Sequence, residues 1–143
     1  MNYYNRFFAC TVLGLLADHS AAQVQVENAW VQLAPPTATV NAAYMQIINS
    51  HVQPQTIVGL SADCCTMVML HQTRQDGDKV SMEHLDRLII PAQASVHLAP
   101  GGMHIMLMGV QQELSLGRKV RMTLRFGDGS TQDIELDVKK DEH

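Results

Sequence analysis

The sequence predicts an all-β domain, a Greek-key barrel or sandwich of about eight to nine strands. Short runs of β-branched and apolar residues recur along the chain, and Gly, Pro, Asn and Asp interrupt them. No stretch has the periodicity of a convincing amphipathic helix. With 143 residues, the chain is long enough for one such domain with a moderate core.

Nine strands are predicted, separated by proline, glycine and other turn residues. They span residues 24–32, 43–49, 56–60, 66–73, 79–85, 95–98, 104–108, 119–126 and 131–138. Met45 and Met122 fit the strand pattern as core residues. Two Asp-Gly pairs, at 76–77 and 128–129, are each predicted to form a two-residue type I′ hairpin loop. The domain is expected to cover residues 23–138, and residues 139–143 a short polar tail that frays.

The first 22 residues have the pattern of a signal peptide. Arg6 precedes an apolar run at 7–17, which is too short to span a bilayer, and small residues at 20–22 favour cleavage before Gln23. A lipoprotein signal ending at Cys10 is disfavoured because the apolar run before it is too short. We therefore expect a periplasmic protein with no membrane span after cleavage. Export also implies an oxidising compartment, in which Cys64 and Cys65 remain.

Composition excludes a nucleic-acid-binding protein. The formal net charge is −4, the sequence pI is near 5.9, and the Lys and Arg residues are scattered. Aromatic residues make up only 5% of the chain, too few for base-stacking platforms. Methionine is the unusual residue type, with nine copies, most of them between Met45 and Met108.

Four residues form a candidate metal site with the spacing H-x10-M-x21-H-x-M: His71, Met82, His104 and Met106. If Asp76-Gly77 is the hairpin loop, His71 pairs directly with Met82 and both side chains share a face. His104 and Met106 are two apart in a strand, so they also share a face. The turn at 100–102 could bring this second pair beside the first.

The predicted ligand set suits Cu(I). Imidazoles and thioethers are neutral and soft, and no carboxylate or thiolate is among them. Zinc sites more often use Cys, His and carboxylates, and a blue-copper electron carrier requires a Cys ligand. By the same hairpin register Met69 would face His84. Further sulfurs at Met67, Met69, Met103 and Met108, together with His84, could form a second site, although Met67 and Met69 are expected to pack in the core.

The stretch around these residues resembles the PCu(A)C family of periplasmic copper chaperones. The similarity extends over about 110 residues, and its motif and context make it specific. It rests on Ala29-Trp30-Val31, Asn41-Ala42-Ala43-Tyr44-Met45, Val68-Met69-Leu70-His71, Ile90-Pro91-Ala92 and Leu98-Ala99-Pro100-Gly101-Gly102-Met103-His104-Ile105-Met106-Leu107-Met108. Cys64-Cys65 departs from the family pattern.

The resemblance implies a cupredoxin-like barrel and a monomeric, non-enzymatic chaperone. Its four family ligands correspond to His71, Met82, His104 and Met106. It implies delivery of Cu(I) toward the copper centre of cytochrome c oxidase, through a copper-receiving oxidase subunit or a thioredoxin-like assembly factor. Three alternatives stay open: copper storage or tolerance, a structural domain without metal, and a thiol–disulfide protein acting through Cys64 or Cys65. The last lacks the C-x-x-C motif of such enzymes.

Overall fold

The computed structural model describes residues 24–140 and consists of ten β-strands in one sheet, with no helix in that range. The predicted signal peptide and the last three residues lie outside the described part of the chain. No segment within 24–140 forms a helix able to cross a membrane. The strands are β1 Gln25–Gln32, β2 Val40–Asn49, β3 Gln55–Ala62, β4 Cys65–Asp76, β5 Lys79–Leu85, β6 Leu88–Ile90, β7 Ala94–Leu98, β8 Met103–Val110, β9 Lys119–Phe126 and β10 Thr131–Lys139.

The strand predictions are confirmed apart from their ends and one omission. The omitted strand is β6, whose three residues pair with the start of β3 and are too few to form a pattern of their own. The predicted tail at 139–143 is wrong at its first residue. Lys139 pairs with Gln32, and its carbonyl accepts a hydrogen bond from the backbone N–H of Leu33 at 2.8 Å. Strand β10 therefore includes Lys139, the first residue of the predicted tail.

The strands follow the order β5-β4-β8-β2-β1-β10-β9-β3-β6, and β7 pairs with the second half of β2. Strands β1 and β10 run parallel, whereas the other pairs are antiparallel. Strand β3 also packs beside β4, so the sheet curls back on itself as a barrel. This order brings β8, which follows β7 in the chain, directly beside β4.

Alternating side chains build the core. In β9, for example, Val120, Met122, Leu124 and Phe126 are almost fully buried while Lys and Arg residues point outward. Burying one large apolar side chain contributes about 1.5–3 kcal/mol to folding. Met45 and Met122, at 3% and 0% exposure, are core residues as predicted. The core is therefore one continuous cluster, and the outward-facing side chains of β4, β5 and β8 are not part of it.

The β4–β5 hairpin has a different register from the predicted one. Asp76 pairs with Lys79, so the two-residue loop is Gly77-Asp78 rather than Asp76-Gly77. Only Gly77 of this pair has a positive φ, at 60°, which is the pattern of a type II′ turn with Gly in its first position. Paired residue numbers consequently sum to 155 rather than 153. A shift of two keeps every side chain on its predicted face but changes its partner.

The β9–β10 loop also differs from its prediction. The N–H of Phe126 donates to the carbonyl of Ser130 at 2.9 Å, which leaves the three residues 127–129 in the loop. Gly129 has a φ of 89° and takes the left-handed position that a three-residue loop requires. Asp128 accepts a hydrogen bond from the N–H of Ser130 at 2.8 Å and so favours this longer turn.

Candidate metal centre

Three histidines form a row across the outer face of the sheet. His71 on β4 lies directly opposite His84 on β5 and opposite His104 on β8. The ring centroids are 5.5 Å apart for His71 and His84, and 6.1 Å apart for His71 and His104. Both pairs meet edge to face. His71 is therefore the central member of the row, with one imidazole on each side.

His104 is held in place by the turn that precedes β8. Its Nδ1 lies 3.1 Å from the carbonyl oxygen of Gly102, which also accepts the backbone N–H of Thr73 at 3.1 Å. A carbonyl only accepts, so Nδ1 carries the proton in this hydrogen bond and Nε2 keeps a lone pair for a metal. The side chain is only 6% exposed. Its ring thus has a defined tautomer and a defined direction.

An aromatic pair lies near the end of the β2–β8 pairing. The β2–β8 pairing ends at Ala43 and Ile105, and Tyr44 and His104 are the next residues of the two strands. The ring of Tyr44 contacts that of Trp30, with centroids 5.0 Å apart and the planes tilted by 45°.

Met106 completes a group of three predicted ligands. Its Sδ contacts Nδ1 of His71, diagonally across the β4–β8 pair. Burial lowers the pKa of His71, and the nearby His84 and His104 lower it further. His71 therefore favours the neutral form that binds metals. The structure brings His71, His104 and Met106 together on one face.

Met82 stands apart from this group, and its predicted partner is wrong. It lies opposite Thr73, because the hairpin register is shifted, and His84 takes the place opposite His71. Met82 remains on the same face, one diagonal step from His71 across β4 and β5. Its side chain is 60% exposed on the edge strand of the sheet. Diagonal neighbours are about 7–8 Å apart, within reach of long side chains.

The donor set of this face consists of imidazoles and thioethers. Within the described residues, no three His, Cys, Asp or Glu side chains gather in a metal-binding group. The row places His84 and His104 on either side of β4, about 9.5 Å apart by strand spacing, so the three rings do not surround one point. A site built here consequently requires methionine sulfur, which selects soft monovalent ions over Zn²⁺, Ca²⁺ or Mg²⁺.

Two features of this face lay beyond the sequence prediction. His84 was placed opposite Met69, but Met69 faces Met106 and His84 faces His71. The expectation that Met67 packs in the core is also wrong, since it is 47% exposed. The alternation of side chains along β4 could have predicted this. Val68 and Leu70 point to the core, so the methionines at alternate positions point outward.

The two cysteines that follow β3 are free thiols, as expected for adjacent residues. Cys64 is fully buried and Cys65 half-buried, and their sulfurs are 3.4 Å apart. Burial is the main cause that raises the pKa of Cys65 to about 12, with further contributions from Cys64 and Asp63. Burial also raises the pKa of Cys64. Neither thiol has the lowered pKa of a redox-active cysteine.

The chain is similar to proteins of one family along nearly all of its described length. Residues 24–138 match the family described as "Putative lipoprotein LpqE-like". The chain is 39% identical over 117 residues to "Putative lipoprotein Lxx21020" of Leifsonia xyli, covering 81% of this chain and 69% of that protein. It is 28% identical over 102 residues to the uncharacterized protein RP573 of Rickettsia prowazekii, covering 71% and 56% respectively.

Solved structures share the fold. The copper-bound PCuAC domain from PmoF2 superposes with a TM-score of 0.71 at 22% identity, over 86% of this chain and 97% of that domain. The Cu(I) form of DR1885 from Deinococcus radiodurans gives a TM-score of 0.69 at 36% identity, over 87% and 84%. These similarities confirm the predicted cupredoxin-like or immunoglobulin-like β fold. From the match over residues 24–138 and the relative at 39% identity, the chain belongs to the LpqE-like family.

Proposed function

We propose that this protein is a periplasmic copper chaperone that binds one Cu(I) ion through His71, Met82, His104 and Met106. The observation that carries the proposal is the convergence of His71, His104 and Met106 on one face of β4 and β8. The similarity to the Cu(I) form of DR1885 and to a copper-bound PCuAC domain supports the choice of metal. The protein has no catalytic role in this proposal, since the ion is its cargo.

The chemistry of the four side chains favours the cuprous state. All four are uncharged when bound, so they add no charge to the complex. The net charge is one with Cu(I) and two with Cu(II), and the lower charge needs less compensation. Thioethers need no deprotonation and form no disulfides, which suits an oxidising compartment better than thiolates. Imidazole nitrogen from His104 is available at Nε2 because Gly102 holds the proton on Nδ1.

The position of the site suits release by ligand exchange. Met82 is exposed on the edge strand β5, and Met106 is half-buried on the same face of β8, with β4 and His71 between them. A partner's ligand can therefore approach the ion from the solvent side before the histidines dissociate. Binding would draw Met82 toward His71 by rotation of its long side chain, with the backbone of the hairpin already in place.

The destination follows from the family resemblance. We propose delivery toward the copper centre of cytochrome c oxidase, through a copper-site subunit or a thioredoxin-like assembly factor, by a monomeric protein. Export is supported by the lipoprotein names of the family and of the Leifsonia relative. In this scheme residues 1–22 form the cleaved signal and residues 23–138 the copper-binding domain. Storage of copper is the second candidate, and direct transfer to an apo oxidase domain would distinguish the two.

The ligand assignment is tested by anaerobic Cu(I) titration against a chromophoric competitor. Met82→Leu and Met106→Leu keep the size and apolar character of the side chain but remove the sulfur. Each is expected to weaken the tight site by at least about tenfold, or about 1.4 kcal/mol. X-ray absorption at the copper edge should count two nitrogen and two sulfur neighbours in the wild type.

The matched control is Met103→Leu, because Met103 lies in the same strand as Met106 but packs against the core. This variant should bind Cu(I) as the wild type does. If Met82→Leu and Met106→Leu also retain wild-type affinity, the proposed ligand set is incorrect.

A further inference from the structure

A second group of sulfur ligands adjoins the proposed site. Strands β4 and β8 pair Met67 with Met108 and Met69 with Met106. Side chains directly opposite one another in a sheet have Cβ atoms about 4.5–5.5 Å apart, and successive pairs on one face follow at about 6.7 Å. We name these four residues the methionine patch: Met67, Met69, Met106 and Met108.

The patch faces outward and is not part of the core. The alternate positions of β4 and β8, among them Val68, Leu70 and Leu107, are the ones that pack inside. Met67 is 47% exposed, and the other three members are half-buried. Core filling, the ordinary role of methionine, therefore does not account for four thioethers in two consecutive cross-strand pairs.

The patch is continuous with the histidine row. Met106 belongs to both, since its Sδ contacts His71 while its backbone position lies opposite Met69. The order along the face is the His71–His104 pair, then the Met69–Met106 pair, then the Met67–Met108 pair. A soft ion leaving the histidines meets sulfur at each step along this line.

We propose that the methionine patch is a second binding position for Cu(I), formed by thioethers alone and adjacent to the His71–His104 position. The inference rests on the proposed function for the identity of the ion, but it concerns different residues. Three or four neutral sulfurs suit a soft monovalent ion and offer little to harder cations. The second position binds more weakly, because it lacks imidazole, shares Met106 and is next to a cation when the first position is filled.

The test follows the methionine methyl groups by NMR. The protein is labelled with ¹³C at the methionine ε-methyls and titrated with Ag(I), a redox-inert soft ion, up to two equivalents per chain. The first equivalent should shift Met82 and Met106, and the second should shift Met67, Met69 and Met108. The core methionines Met45 and Met122 serve as internal references that stay unshifted. Unshifted signals from Met67, Met69 and Met108 after two equivalents would overturn the second position.

Variants separate this inference from the proposed function. In the triple variant Met67→Leu/Met69→Leu/Met108→Leu, Cu(I) titration should lose the weak equivalent and keep the tight one. The variant His71→Ala should lose the tight equivalent and keep sulfur-only binding. If His71→Ala binds Cu(I) as tightly as the wild type, the proposed function fails at its ligand set. If the triple variant still binds two equivalents, the methionine patch is not the second position.

Discussion

At the scale of single residues, the chemistry of the site could be predicted from the sequence, whereas its orientation could not. The i, i+2 spacing of His104 and Met106 was enough to place both on one face, because the strand period is two. The carbonyl of Gly102, which selects the protonated nitrogen of His104, depends on the shape of a turn. No pattern of residue types encodes which carbonyl a turn directs at a side chain.

The cysteines give a prediction at this scale. Because burial raises the pKa of Cys65 to about 12, its thiolate is scarce at neutral pH, and iodoacetamide should modify it slowly in the native protein. The rate should rise steeply only as the pH approaches that pKa. Mass spectrometry of timed samples measures it, with urea-unfolded protein as the fast control. Rapid native labelling at pH 7 would instead favour the thiol–disulfide alternative.

At the scale of elements, the strands themselves were predictable and their partners were not. Turn residues located nine of the ten strands, and β6 escaped because three residues carry no periodicity. The hairpin register was wrong by two, since Asp76-Gly77 and Gly77-Asp78 are both reasonable loops in one short sequence. A type II′ turn with Gly first satisfies the backbone as well as the expected type I′. The consequence is that His84, and not Met82, lies opposite His71.

The end of β8 gives a prediction for an element. Gly109 has a φ of 65°, and a Cβ there would lie 2.0 Å from Oγ1 of Thr66 on β4. Gly109→Ala should therefore destabilise the fold by about 1–3 kcal/mol through backbone strain and the clash. Chemical denaturation measures the change. The control is Gly129→Ala, whose φ is 89° with nothing within 4 Å, so that it carries the strain alone. Equal losses for the two variants would contradict the clash.

At the scale of the whole molecule, the hydrophobic core and the proposed ligands are separate sets of side chains. All of the fully buried large side chains belong to the core or to Asn49, and none of the proposed ligands is among them. The order of strands along the sheet, with β8 between β4 and β2, arises from contacts distant in sequence. Local patterns do not specify such long-range pairing, which is why the strand order could not be predicted from the sequence.

Metal binding should stabilise the whole molecule by mass action. At a free Cu(I) concentration about 100 times the dissociation constant, the gain is about 2.7 kcal/mol, or a rise in Tm of about 11 °C for a domain of this size. Anaerobic calorimetry with Cu(I) held in a weak competing ligand measures it. The apo protein should unfold in one cooperative transition. A wild-type Tm that Cu(I) leaves unchanged would favour the structural domain without metal.

The carbonyl of Gly102, which accepts two hydrogen bonds, affects the order in which the proposed ligands would dissociate from a bound ion. One oxygen accepts both the backbone N–H of Thr73 on β4 and the ring N–H of His104, so the strand holds the acceptor in place and this imidazole must give up a hydrogen bond to turn away. Met82, in contrast, is 60% exposed on the edge strand, where solvent leaves its side chain room to rotate. Under the proposed function, the thioether of Met82 would therefore dissociate first during transfer, and the imidazole of His104 would dissociate from the copper last.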